Sequence, residues 1–326
     1  MTMALDEVED VYCGVDLGGT SAKLVFGNRA GEIREQVQFP TQNEGAPTRV
    51  LPRIVEHVKQ FLDCHSLSKV HGVGIGVPGL VDIDAGVTKF LPNMPTQWRD
   101  VPVAETLTSE LGCPVRVLND ARAATLGELR FGFGKDRPND TFAFFGIGTG
   151  VGGGIVIDGK LRLGPLGAAG EIGHQTILPD GPRCGCGNRG CLETLVSGPA
   201  IAAEGMRLVR MGLAPRLAEL TDNDLNRVTP ESMKTAAASD SLVAEALQRA
   251  GAFLGIAVAN VITSLHPDAV IIGGGVARLG ETLLSPVRKT VLERVRMFPP
   301  DDVQIVSSTL LDRSGRLGTL ALASEE

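Results

Sequence analysis

A chain of 326 residues is long enough for two domains, and a hydrophobic share of 43% supplies a sizeable core, so disorder of the whole chain is excluded. With 31 Lys+Arg against 38 Asp+Glu the net charge is −7, which leaves no electrostatic footprint for nucleic acid or an anionic membrane. The acidic start, Met1 to Asp10, lacks the basic and apolar regions of an export signal, and the apolar stretch from Ala143 to Ile157 is broken by six Gly and falls short of the roughly 20 residues that span a bilayer, so the chain reads as cytoplasmic.

The run Val11 to Asp16 ends in Asp16-Leu17-Gly18-Gly19-Thr20, a second run covers Ala22 to Phe26, and alternating residues follow Gly31 as far as Phe39. This is the pattern of strand, glycine turn, strand, turn, strand. From Arg49 to Leu62 apolar residues recur at helical spacing. A strand is expected over Val70 to Val77, ending at Pro78-Gly79. A helix over Val103 to Leu111, a strand over Val115 to Leu118 and a helix over Ala121 to Phe131 follow, the last with Asn119-Asp120 at its start. The opening then returns in order, though not in identity. Thr141 to Ile147 is apolar, Gly148-Thr149-Gly150-Val151-Gly152-Gly153 is the turn, and Ile155 to Ile157 and Leu161 to Leu163 are short strands around Asp158-Gly159. Leu242 to Leu265 is a long apolar-periodic helix. Ala269 to Ile272 is a buried strand ending in Gly273-Gly274-Gly275, and Val303 to Val306 a last strand before a C-terminal helix from about Arg316. The polar stretch Gly212 to Asp240 is expected at the periphery. Two halves that open alike point to a duplicated α/β unit with a cleft between its domains. The expected domains are 1–118, joined by a C-terminal helix at about 312–326, and 119–311.

Two stretches match G-x-G-x-x-G: Gly148, Gly150 and Gly153, and Gly74, Gly76 and Gly79. A dinucleotide fingerprint needs a strand before and a helix after. A strand follows the first match and Val81-Asp82 the second, so both fail; no G-x-x-x-x-G-K-[ST] is present either. The turns at 16–20 and 148–153 are then either ordinary hairpin turns or anion cradles. Successive amides around Gly18, Gly19, Gly148 and Gly150 can converge on a phosphate, Thr20 and Thr149 add hydroxyls, and Asp16 can reach a metal-bound water. Their equivalent places in the two halves favour the cradles.

His174, Cys184, Cys186 and Cys191 are spaced H-x9-C-x-C-x4-C. Three thiolates and one imidazole form the closed donor set of a structural zinc site; the alternative is three free buried thiols. Cys13, Cys64 and Cys113 read as small core residues. Asp120 follows an apolar strand and opens a helix, so it is either the helix cap or a general base at the carboxyl end of a strand. Glu171, His174 and Glu193 flank the cysteines. Held by a zinc knot they are fixed acceptors for a polyhydroxyl ligand, and otherwise they are solvated loop residues.

Together these residues resemble the ROK family of bacterial sugar kinases and sugar-responsive repressors. Asp16-Leu17-Gly18-Gly19-Thr20 is similar to its first phosphate motif. Gly74-Ile75-Gly76-Val77-Pro78-Gly79 and Leu118-Asn119-Asp120 are similar to its sugar-side segments. Glu171-Ile172-Gly173-His174 matches the ExGH signature, and Cys184-Gly185-Cys186-Gly187-Asn188-Arg189-Gly190-Cys191-Leu192-Glu193 matches CxCGxxGCxE. Leu91-Pro92-Asn93 with Trp98 is similar to a stretch of the family's glucokinases. The likeness runs from about residue 11 to the end.

The resemblance implies an actin-like (ribonuclease H-like) duplicated two-domain fold, a homodimer or dimer of dimers, and sugar and Mg-ATP in the interdomain cleft. It implies Asp120 as the base, Gly79, Asn93, Asn119, Glu171, His174 and Glu193 on the sugar, and Gly274 and Gly275 beside the adenosine. His174 is expected to bind zinc through one ring nitrogen and face the sugar with the other. The family's repressors carry an N-terminal winged-helix DNA reader. Only 15 residues precede Asp16 here, which favours the enzyme and no nucleic-acid partner. The expected reaction is ATP-dependent phosphorylation of a hexose, first of all glucose at its 6-hydroxyl. Fructose, mannose, allose or an N-acetylated amino sugar are alternatives, and a non-catalytic sugar-binding regulator is the reading of another class. ADP or polyphosphate as donor stays open.

Overall fold

The computed structural model describes residues 10–41, 45–92, 94 and 96–325. Three strands come first, β1 (Tyr12–Leu17), β2 (Ser21–Gly27) and β3 (Ile33–Pro40), then α1 (Pro47–Cys64) and β4 (Val73–Val77). The short strands β5 (Leu80–Asp82), β6 (Val87–Phe90) and β7 (Val101–Pro102) lead to α2 (Val103–Leu111), β8 (Val115–Asn119) and α3 (Asp120–Phe131). The second half holds β9 (Phe142–Ile147), β10 (Val151–Ile157), β11 (Lys160–Arg162), α4 (Glu193–Val196), α5 (Gly198–Arg210), α6 (Pro215–Leu220), α7 (Pro230–Ala236) and α8 (Ser241–Leu265). β12 (Ala269–Gly273), α9 (Glu281–Arg294), β13 (Gln304–Ser307) and α10 (Ser314–Ala323) complete the chain.

The two five-stranded sheets follow one plan, β3-β2-β1-β4-β8 and β11-β10-β9-β12-β13. In each, a glycine-turned antiparallel hairpin is extended by parallel strands: β1 pairs antiparallel with β2 and parallel with β4, and β9 pairs antiparallel with β10 and parallel with β12. The turns Gly18-Gly19-Thr20 and Gly148-Thr149-Gly150 therefore sit at the same place in each half, and the duplication expected from the order of elements is the fold of the protein. The glycine run after the second turn is itself strand, since β10 starts at Val151.

Two compact units divide the chain. One holds the described residues up to Lys135, Leu163–Ala169 and those from Arg313 onward; the other holds Asp136–Arg162 and Gly170–Asp312. The division departs from the expected break at 118/119, because α3 packs on α10 in the first unit. A Cβ on Gly318 would fall inside contact distance of the Ala123 carbonyl oxygen, and one on Gly127 inside that of Ser314. The two helices thus meet backbone to backbone, a proximity that no sequence period displays. Alanine at 318 would gain about 1 kcal/mol of helix propensity. The rigid carbonyl it meets outweighs this, and Gly318→Ala is expected to destabilise the fold by roughly 1–3 kcal/mol net, read by denaturant unfolding.

Period two along β1 shows how the first unit is layered. Cys13, Val15 and Leu17 join the core with Val50, Ile54 and Val58 of α1. Tyr12 faces the opposite side and packs with Leu320 and Ala323 of α10. Gly14, Gly74 and Gly76 lie on this second face, where added Cβ atoms would meet residues 319–323. The pair Gly74 and Gly76 thus admits α10, which accounts for this G-x-G without a ligand.

In the second unit α8 carries Val243, Leu247, Leu254, Val258 and Ile262 into the core. Among the described residues it is the one helix long and apolar enough to cross a membrane, and 56% of its most apolar 18 residues are buried in the unit, as for a core helix. It is longer than the glycine-broken apolar stretch Ala143 to Ile157 and coincides with the apolar-periodic helix expected over Leu242 to Leu265. A correction concerns the polar stretch 212–240. It forms α6 and α7, and Ala214, Leu217, Val228, Met233 and Ala236 from it are core residues. Short helices bury one or two side chains each, too few to register as a period. Another concerns Cys64, which is exposed, while Cys13 and Cys113 are buried.

Candidate functional site

In the first unit the turn after β1 is held from behind. The Gly18 amide donates to the Ser21 carbonyl at 2.9 Å, the Thr41 hydroxyl to the Gly18 carbonyl at 2.9 Å, and the Thr41 amide to the Thr20 carbonyl at 3.0 Å. Thr20 itself is exposed. Asp16, at the end of β1, lies near the start of α10, so that a Cβ on Gly315 would be 3.8 Å from its Oδ2. Burial pushes the Asp16 carboxyl above the ordinary range, against the pull of Lys23 and Arg316.

The sign of the linkage follows from that direction. Between the ordinary carboxylate pKa and the raised one, the folded chain holds a proton that the unfolded chain has lost, so stability falls as pH rises through that window. Asp16→Asn removes this cost. It is expected to raise the midpoint of thermal unfolding near neutral pH by roughly a few degrees, and to flatten its pH dependence in that window. Melts of both proteins from mildly acid to neutral pH test this; a variant less stable at neutral pH contradicts it.

At the end of β8, Asn119 caps α3. Its Oδ1 accepts from the amides of Ala121 at 3.0 Å and Arg122 at 3.2 Å, and its Nδ2 donates to the Gly79 carbonyl at 3.2 Å. One amide hydrogen of Asn119 is what this leaves for a ligand. Asp120 is the first residue of α3, half-buried, with Oδ1 accepting from the Ala121 amide at 2.8 Å. The question left open between cap and base is thereby narrowed: the helix end has its acceptor in Asn119.

Sequence reasoning missed Arg122. This buried guanidinium donates to Asn119 Oδ1 through Nη1 at 3.2 Å and to the Gly167 carbonyl through Nε at 3.2 Å. Gly79, Asn119, Arg122 and the returning segment 163–169 form one network. An arginine on a helix reads the same in sequence whether it points to water or to a buried carbonyl, so no signal marked it. Asn93 lies outside the described residues. Trp98 is buried, with its indole N–H donating to the Gly45 carbonyl.

The second unit brings together the other half of the expected set. The Gly148 amide donates to the Gly150 carbonyl at 2.9 Å, the Gly198 amide to the Gly148 carbonyl at 2.8 Å, and the Val151 amide to Glu193 Oε2 at 3.0 Å. Gly274 follows β12 and packs against Ile147, whose carbonyl a Cβ would strike. Around Gly275 there is open space, and Thr149 is exposed.

The ligand atoms of His174, Cys184, Cys186 and Cys191 all lie within 4.8 Å of one another. Cys184 Sγ is 3.6 Å from His174 Nδ1, and Cys186 Sγ is 3.7 Å from Cys191 Sγ. Bonds of about 2.3 Å from zinc to sulfur at tetrahedral angles put two sulfurs roughly 3.8 Å apart, so the donor set fits that ion. Burial raises the Cys184 thiol and pushes Cys191 up to about 12, whereas the Asn188 backbone N–H lowers Cys186. Local backbone sets the cluster: the Cys184 amide donates to the Asn188 carbonyl at 2.8 Å and the Gly187 amide to the Cys184 carbonyl at 3.0 Å. Gly190 has φ of +62° and presses on the Leu178 carbonyl, a place for glycine alone. Nδ1 of His174 faces the sulfurs, and Nε2 lies 3.7 Å from Glu171 Oε2. The ring thus turns one nitrogen to the cluster and the other to a carboxylate.

The family model of the ROK family matches residues 12–326. The chain belongs to the ROK family. The glucokinase of Halalkalibacterium halodurans is 37% identical over 310 residues, 94% of this chain and 93% of its own. A ROK family glucokinase from Streptomyces griseus, crystallised with glucose and AMPPNP, has a TM-score of 0.80 and 31% identity over 96% of this chain and 99% of its own. A ROK family transcriptional regulator, a homologue of the E. coli MLC protein, has a TM-score of 0.84 and 28% identity over 97% of this chain and 78% of its own. The duplicated α/β fold is that of ROK kinases and regulators alike, and the ROK kinases among the relatives support hexose-kinase activity of the family's general kind.

Proposed function

We propose that this chain transfers the terminal phosphoryl group of Mg-ATP to a hexose, glucose at its 6-hydroxyl first, with Asp120 as general base. The observation that carries the reading is the cap on α3: Asn119 supplies it, so the carboxylate at the carboxyl end of β8 is not required there. An alcohol is a poor nucleophile at neutral pH, and Asp120 accepts its proton as the new bond forms. Phosphoryl transfer depends on placement and charge stabilisation. The turns Gly18-Gly19-Thr20 and Gly148-Thr149-Gly150 receive the phosphates: the Gly18 and Gly148 amides close the turns on the Ser21 and Gly150 carbonyls, and the amides of Gly19, Thr20, Thr149 and Gly150 donate to the phosphates. Asp16 reaches the hydration shell of the Mg²⁺ that enters with the nucleotide, and Gly274 and Gly275 lie beside the adenosine.

The sugar is held by Gly79, Asn93, Asn119, Glu171, His174 and Glu193. His174, Cys184, Cys186 and Cys191 would hold zinc, which supplies rigidity to Glu171, His174 and Glu193 and leaves no open coordination position. A homodimer or dimer of dimers in the cytoplasm completes the reading.

The likeness to a transcriptional regulator supports a second reading, a sugar-binding regulator without turnover. ADP release from Mg-ATP, measured with single sugars and a blank, separates the two. Glucose-dependent release above the other sugars is expected. Release with fructose, mannose, allose or an N-acetylated amino sugar keeps the chemistry and changes the substrate. No release with any sugar, and none with ADP or polyphosphate as donor, from folded zinc-loaded protein leaves the regulator.

A further inference from the structure

The carboxylate of Glu193 joins two features that the sequence keeps apart. Its Oε2 accepts the Val151 amide at 3.0 Å, at the point where the second glycine turn becomes strand. Gly150 packs against the same oxygen, so that a Cβ there would stand 2.5 Å from it. Two residues before Glu193, Cys191 belongs to the clustered metal donors, and Cys184 Sγ lies 3.8 Å from Glu193 Oε1. Five residues after it, the Gly198 amide donates to the Gly148 carbonyl at 2.8 Å. One short piece of chain, running from the metal donors through α4, thus holds the turn at both ends.

We propose that Glu193 is a positioning residue for the Gly148–Val151 turn, and that through it the metal knot sets the affinity for nucleotide. This deepens the kinase reading and rests on it for the identity of the ligand. A hydrogen bond from an amide to a carboxylate is charge-assisted and stronger than one between neutral groups. Without it, a turn rich in glycine regains conformational freedom that a phosphate must then remove on binding. Oε2 serves the turn, and Oε1 is the oxygen that a sugar hydroxyl can use. The same side chain therefore has a positioning duty that a sugar-binding residue would not have.

The test uses the zinc-loaded full chain and three variants. Glu193→Ala removes the acceptor. Glu193→Gln keeps a carbonyl oxygen in its place. Gly150→Ala keeps Glu193 and pushes its carboxylate away. Hydrogen exchange on peptides spanning residues 148–153 reads the turn directly, and titration with AMPPNP in the absence of sugar reads the nucleotide site. Exchange rate and AMPPNP Kd are both expected to rise roughly tenfold in Glu193→Ala and Gly150→Ala, and to stay within about threefold of wild type in Glu193→Gln, at unchanged zinc content.

Wild-type exchange and AMPPNP affinity in Glu193→Ala, with only the sugar KM raised, overturn the proposal. If Glu193→Ala fails to fold or loses zinc, the exchange rates of Gly150→Ala decide, because its new Cβ also enters the phosphate turn and alters AMPPNP affinity directly. A wild-type chain that binds no AMPPNP defeats the kinase reading, while the exchange rates still decide whether Glu193 positions the turn.

Discussion

Asp120→Ala is expected to lower kcat by roughly 10²–10⁴-fold, the span that general-base catalysis contributes, while the dissociation constant for the sugar stays within about threefold. Asn119 provides the cap acceptor for the amides of Ala121 and Arg122, so removing the Asp120 carboxylate leaves the helix end satisfied. Structurally, the losses include a favourable charge in the first turn of the helix, worth about 0.3–1 kcal/mol, and a bond to the Ala121 amide. A large fall in turnover beside a small fall in stability therefore reports chemistry. ADP release at saturating sugar, sugar titration by calorimetry and a thermal melt measure the three quantities. Near-normal turnover would remove Asp120 from the base role. Loss of sugar binding in step with turnover would make it a substrate ligand alone.

Cys186→Ala is expected to release the metal and to lower thermal stability strongly. Cys186 is exposed, so its thiol contributes little packing, and an alanine there leaves no cavity. Any large effect must pass through the ion that it helps to hold. Structural zinc supplies on the order of 10–16 kcal/mol of binding free energy in small zinc-dependent domains, and part of that is coupled to the fold of the loop that carries the donors. The Gly190 contact with Leu178 and the Glu193 contact with Val151 both depend on that loop, so sugar affinity is expected to fall with the metal. Cys64→Ala is the control, being exposed and outside the cluster. Metal analysis per chain and a thermal melt decide the matter: one retained zinc and an unchanged melt in Cys186→Ala would refute it.

Much of this was legible along the chain. β1, β2, α1, β8, α3, β9, α8 and β12 follow from period and from Gly, Pro and Asn punctuation, because a period of two or 3.6 is a local property. The repeat of a glycine-turned hairpin revealed the duplication for the same reason. The spacing of His174, Cys184, Cys186 and Cys191 pointed to one set of metal donors, and the fold brings their ligand atoms within 4.8 Å of one another.

What only the tertiary structure decided has a common cause: a period shows which face of an element is apolar, never which partner covers it. Nothing local assigns α3 to the first unit; the approach of Gly318 to Ala123 across nearly two hundred residues does. The same holds for Gly74 and Gly76, whose lack of Cβ admits α10, and for residues 212–240, polar on average yet supplying Leu217 and Met233 to the core. Arg122 and Glu193 are charged residues of ordinary appearance in the sequence. A buried carbonyl and a strand-end amide, each brought close by folding, turn one into the clamp on Asn119 and the other into the support of a glycine turn.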